Sequence, residues 1–172
     1  MALAASWGIL GVLLLIGRAL WNLTPIAWDA LRSQLTLPQW MVLIVWVGFM
    51  AISEGYFGFH LRFSPRVVDR ALYLGNNPTV LRVILAAPFC MGMFHASRRL
   101  TRTAWSLVVG IALLIFMMRF MPQPWRGIID TGVVVGLGIG IASVLVRFIH
   151  ALLTQRQPQR HDVPATPALG DA

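Results

Sequence analysis

Apolar residues along this chain come in long blocks rather than in the alternating or half-buried helical patterns of a water-facing fold. A helix that crosses a bilayer needs about 20 largely apolar residues. Five stretches meet or approach that length: residues 3–21, 39–59, 79–96, 103–121 and 127–152. Pro88 interrupts the third, where the loss of one backbone hydrogen bond predicts a kink. The fifth is long enough to tilt or to project from the membrane. The expected fold class is therefore all-α, a polytopic membrane bundle of about five transmembrane helices in residues 1–153. Residues 154–172, rich in Gln, Pro and Ala, are expected to form a disordered cytoplasmic tail.

Two of the connections carry their own amphipathic pattern. Thr24 and Pro25 match a helix N-cap followed by proline in the first turn, and Trp28, Leu31 and Leu35 then share one face. Ser64 and Pro65 repeat the device, with Val67, Val68, Ala71 and Leu72 as an apolar stripe and Arg66, Asp69 and Arg70 expected to stay wet. Both segments, 26–35 and 64–75, are expected to be short helices lying in the membrane interface. The first apolar block has no basic leader and no small-residue cleavage site, so it is expected to remain as a transmembrane helix.

Composition agrees with the pattern. Hydrophobic residues make up 58% of the 172 and charged residues only 12%, about half the share of a soluble domain. The net charge is +8 and every basic residue is arginine, which excludes chemistry that needs a lysine amine. The arginines flank apolar blocks, where anionic lipid headgroups are the natural counter-ions, so no nucleic-acid partner is expected. Cys90 is the single cysteine, which rules out an internal disulfide and a cysteine zinc site. With five spans, Arg18, Arg32, Arg98, Arg99, Arg102, Arg147, Arg156 and Arg160 share one side. Arg62, Arg66, Arg70, Arg82, Arg119 and Arg126 share the other. The bias predicts an outside N-terminus and a cytoplasmic C-terminus in the plasma (inner) membrane.

Candidate chemistry rests on the few ionisable groups inside apolar blocks. Glu54 is the most informative, because a carboxylate there costs a few kcal/mol in lipid and must face protein or water. Under five spans Arg82 lies at the same depth, and His60, Arg119, Arg126 and Asp130 gather on the same side. Arg126 and Asp130 are spaced i,i+4 and can bond directly. Gly132, Gly136 and Gly140, followed by Ser143, form a small-residue stripe suited to close helix packing. His95 and His150 could in principle ligate a haem, but both abut interfacial arginines where a solvated histidine costs little, so no cofactor or metal is expected.

The leading functional expectation is a small permease-like protein or an accessory subunit of a membrane complex, with the polar cluster in its outer half. Its expected partners are membrane lipids and other membrane subunits. One alternative is a membrane-embedded enzyme acting on a lipid or lipid-linked substrate through Glu54. The other is a structural scaffold without small-molecule chemistry.

Overall fold

The computed structural model describes residues 2–154, and these form helices and turns without a strand. The helices are α1 (Ala2–Arg32), α2 (Leu37–Met50), a π-helix (Ala51–Phe63), α3 (Ser64–Asn76), α4 (Val80–Ile84), α5 (Ala86–Cys90), α6 (Arg98–Met118) and α7 (Trp125–Leu153). Four continuous helical segments are long and apolar enough to cross a membrane: Leu3–Arg32, Leu37–Asn76, Arg98–Met118 and Trp125–Leu153. The fold is thus all-α and built for a bilayer. Of the expected tail, only Thr154 falls within the described residues.

The count differs from the sequence expectation at three proline-containing segments. Residues 26–35 do not begin a separate interfacial helix, because α1 runs through Pro25. The proline cannot donate to the Trp21 carbonyl one turn back, and the Thr24 hydroxyl donates to Leu20 instead, at 2.7 Å; packing of Ile26 and Ala30 on Gly127 of α7 holds the helix beyond the proline. Residues 64–75 are likewise not detached, since α2, the π-helix and α3 form one run of 40 residues. There the Ser64 N–H still bonds back to the Phe59 carbonyl, so Pro65 follows directly on the wide π turn, which has room for its ring.

The third expected span, 79–96, does not cross. Proline clashes with the carbonyl four residues earlier, and four residues before Pro88 stands Ile84, the last residue of α4. Leu85 then leaves helical geometry (φ −99°, ψ 39°), and α5 lasts only five residues. Gly92 (φ +82°) and His95 (φ 49°) turn the chain back toward α6. A Cβ at Gly92 would also sit 2.9 Å from Leu100, so this turn needs glycine for its backbone and for its space.

Helix α7 is the axis of the bundle. Gly127 packs on Ile26 and Ala30 near the end of α1, while Gly132, Gly136 and Gly140 meet α2 and the π-helix. The start of α1 packs on the end of α3 and on α5, with Gly8 against Leu74 and Cys90 and Gly11 against Ala87. Val12, Val67, Leu74, Phe89, Cys90 and Val144 are fully buried in the resulting core. Burial pushes the Cys90 thiol up to about 12 against the opposing pull of Arg70. One end of the bundle therefore holds the starts of α1 and α6, the α4–α5 segment and Leu153. The opposite end holds the turns at 33–36 and 119–124.

Candidate functional site

Glu54 lies in the π-helix, whose wider turn re-aims side chains relative to an α-helix. Gly55 lets Ile139 of α7 approach so closely that a Cβ would lie 2.7 Å from its terminal carbon. One turn further along the face, Gly136 leaves room for the Glu54 Cβ, 3.5 Å from where its own would stand. Glu54 is therefore level with a residue near the middle of α7. Its carboxylate bends along its own helix, with Oε2 3.2 Å from the Cβ position of Gly58.

Glu54 lines a cleft of about 330 Å³ between α6 and the seam of α2, the π-helix and α7. Met50, Phe59, Leu107, Ile111, Leu114, Val133 and Leu137 give it an apolar wall; Ser106 and Glu54 are its polar side chains, and Gly110 and Gly136 widen it. The cleft exists because α6 stands off from the rest of the bundle. Only 6% of its apolar window is buried, against 33% for α7. Among the described residues, no hydrogen bond or ion pair engages the Glu54 carboxylate.

The other candidates distribute over both ends of the molecule. His60 joins α7 through two contacts: Nδ1 lies 3.2 Å from the Ser143 hydroxyl and Nε2 lies 3.3 Å from Arg147 Nη2. A guanidinium only donates, so Nε2 must accept, and the Nδ1 proton then points to Ser143. Tyr56 stacks on the imidazole at 5.6 Å. Arg82 donates to the Asn77 carbonyl at 3.5 Å and lies over the Tyr73 ring at 5.6 Å. Arg126 and Asp130 form the i,i+4 pair, at 3.8 Å, near the opposite end. Asp130 is buried, and Arg119 is exposed just after α6.

The structure does not bring Glu54 to Arg82, Arg119 or Arg126. Their shared depth depended on residues 79–96 crossing the membrane, and without that crossing Arg82 moves to the end opposite Arg126. The stripe of Gly132, Gly136, Gly140 and Ser143 faces the π-helix and α2. A Cβ at Gly132 would lie 2.5 Å from the Trp46 indole nitrogen, and one at Gly140 2.6 Å from the Phe59 ring.

Arg70 is a departure from the sequence reading, which left it wet. It is 1% exposed. Its Nε donates to the Phe89 carbonyl at 2.7 Å and its Nη2 to the carbonyls of Phe94 and His95 at 3.0 and 3.2 Å, while the guanidinium lies 4.3 Å from the Phe89 ring centre. These carbonyls belong to the end of α5 and the turn after it, where helix geometry leaves acceptors unserved. The only sequence signal was Pro88, which announces that a helix must stop and that its carbonyls need donors.

No family model, curated protein or solved structure matches the chain. Among the described residues, no group of three or more His, Cys, Asp or Glu side chains could hold a metal ion.

Proposed function

We propose that this chain is a small permease-like or accessory membrane protein that admits a lipid-like amphiphile sideways from the bilayer. The ligand enters the cleft between α6 and the α2–α7 seam, and Glu54 meets its polar part. The observation that carries this reading is the Glu54 carboxylate without a protein partner on the wall of an apolar cleft. An ionised side chain at such a depth costs a few kcal/mol unless a polar group or water meets it. A hydroxyl, an amine or a water drawn in with the ligand would serve.

The test is lipid retention by the full chain purified in mild detergent, read by native mass spectrometry and lipid extraction. The wild type is expected to carry lipid, and Gly110→Trp, which fills the cleft from a position where a Cβ meets nothing within 4 Å, is expected to lose it. Equal lipid content in the two proteins would dismiss the proposal. The same unpaired carboxylate favours a second reading, in which Glu54 acts as general acid or base on the bound lipid. That reading requires a product formed by the wild type and not by Glu54→Gln.

Orientation belongs to the same proposal. Arg62, Arg66, Arg70, Arg82, Arg98, Arg99, Arg102 and Arg147 belong to the half of the bundle that holds the start of α1 and Leu153, whereas Arg32, Arg119 and Arg126 belong to the other. The positive-inside bias then puts both the start of α1 and Leu153 on the cytoplasmic face of a plasma membrane. This retains the C-terminal side expected from the sequence and reverses the N-terminal one.

A further inference from the structure

We infer that Arg62, Arg66 and Arg99 form a headgroup site for an anionic phospholipid whose chain lies in the Glu54 cleft; this rests on the lipid-handling reading above. Arg62 belongs to the π-helix, Arg66 to α3 and Arg99 to the first turn of α6. They line one cleft of about 440 Å³ together with Ser97, Leu100 and Thr103. No carboxylate among the described residues lines it. Among the described residues, none of the three guanidiniums has a hydrogen-bond or ion-pair partner.

Three like charges in one cleft repel each other unless an anion neutralises them, and a guanidinium fork matches phosphate oxygens. The positive end of the 21-residue helix α6 adds to the same potential. The hydroxyls of the cleft are partly engaged. Ser97 accepts from the Leu100 N–H at 3.4 Å, and Thr103 donates to the Arg99 carbonyl at 3.0 Å. The arginines are thus the charged donors of the cleft, with the Ser97 O–H beside them.

Continuity with the apolar cleft selects a lipid over a soluble anion. Thr103 lines the basic cleft, while Ser106 and Leu107, one turn on, line the apolar one, which reaches Leu114. The eleven helical rises from Thr103 to Leu114 span about 16 Å, close to one leaflet of a hydrocarbon core about 30 Å thick. Trp105, exposed beside this junction, donates its indole N–H to the Met93 carbonyl at 3.3 Å, as suits a residue at the interface between headgroups and chains. A phosphate held by the arginines would therefore leave its acyl chain running down α6 toward Glu54.

The experiment titrates the full chain, in detergent, with phosphatidylglycerol, phosphatidylcholine or inorganic phosphate, and reads bound species by native mass spectrometry. The wild type is expected to prefer phosphatidylglycerol over phosphatidylcholine by about tenfold or more, because clustered arginines favour an anionic headgroup. Inorganic phosphate alone is expected not to bind at millimolar concentration. The triple change Arg62→Gln, Arg66→Gln and Arg99→Gln is expected to bring the two lipids near parity with the thermal midpoint unchanged, and Arg99→Gln alone to fall between. A preference that survives the triple change, or a wild type without preference, overturns the headgroup site while leaving lipid entry intact. Tight binding of inorganic phosphate overturns the lipid assignment. Absence of any bound lipid in the wild type removes this inference together with the reading beneath it.

Discussion

Glycine does opposite things on α7 and on α6. Along α7, Gly127, Gly132 and Gly140 are places where a single added carbon would collide with Ala30, Trp46 or Phe59, so α1 backbone comes close at Gly127 and aromatic side chains seat against the other two. On α6, Gly110 meets nothing within 4 Å and faces the cleft. In a bilayer, apolar side chains gain little by leaving lipid for protein, so helix association depends on close packing and polar contacts. Helix α7 has both and becomes the axis; α6 has few of either and leaves a gap that lipid can fill. The contrast teaches that a helix can belong to a membrane bundle and still keep one face available to the bilayer.

The largest effect is expected inside the seam. Gly127→Ala would drive a Cβ into Ala30 and to 2.8 Å from the Ile26 carbonyl, and should cost about 3 kcal/mol through overpacking. Thermal unfolding in detergent would read this as a clear loss, and an unchanged midpoint would mean that α1 and α7 are not in contact there. Arg70→Lys should follow closely. One ammonium cannot reproduce a fork serving the carbonyls of Phe89, Phe94 and His95, and leaving buried acceptors unserved costs about 2 kcal/mol. Its signature would be Cys90, fully buried in the folded chain, becoming reactive to a maleimide.

A smaller effect measures the polar contact across the seam. His60→Phe and Arg147→Gln should be coupled by about 1 kcal/mol in a double-mutant cycle, and additive losses would deny the contact. Arg126→Gln should lower stability by less than about 1 kcal/mol, because its side chain is 32% exposed and the pair is long at 3.8 Å. Gly110→Ala marks the other side of the comparison. With open space around it, alanine should raise the thermal midpoint slightly, by the ~0.5–1 kcal/mol that glycine costs in a helix interior.

What could be read from the sequence follows the physics of solvent. Apolar blocks reveal bilayer spans because no soluble core can absorb them, and a four-residue glycine spacing marks one helix face whatever that face meets. The Arg126–Asp130 spacing is similarly local. The path of residues 79–96 was not legible, because hydrophobicity measures partition and not whether a helix survives Pro88. Thr24–Pro25 and Ser64–Pro65 misled in the reverse sense. A proline that resembles a helix start is tolerated inside a longer helix when packing on a neighbouring helix or a π turn offsets its missing donor and its bulk. Of the three, the break at Pro88 alone moves residues between faces: counted as a span, residues 79–96 set Arg82 level with Glu54 and put Arg62 and Arg66 opposite Arg99. Arg70 could not be recognised as buried until the covering segment was known to fold back over α3.

Photo-crosslinking from α6 tests the open cleft most directly. A benzophenone side chain in place of Leu107, on the wall of the cleft, is compared with one at Val109, which is 62% exposed on the neighbouring surface. In vesicles of mixed phospholipids, the Leu107 position should give lipid adducts enriched in anionic lipid over the bulk composition that Val109 reports. Identical adducts from both positions, or adducts from the Leu107 position only to α2 and α7, would contradict the account.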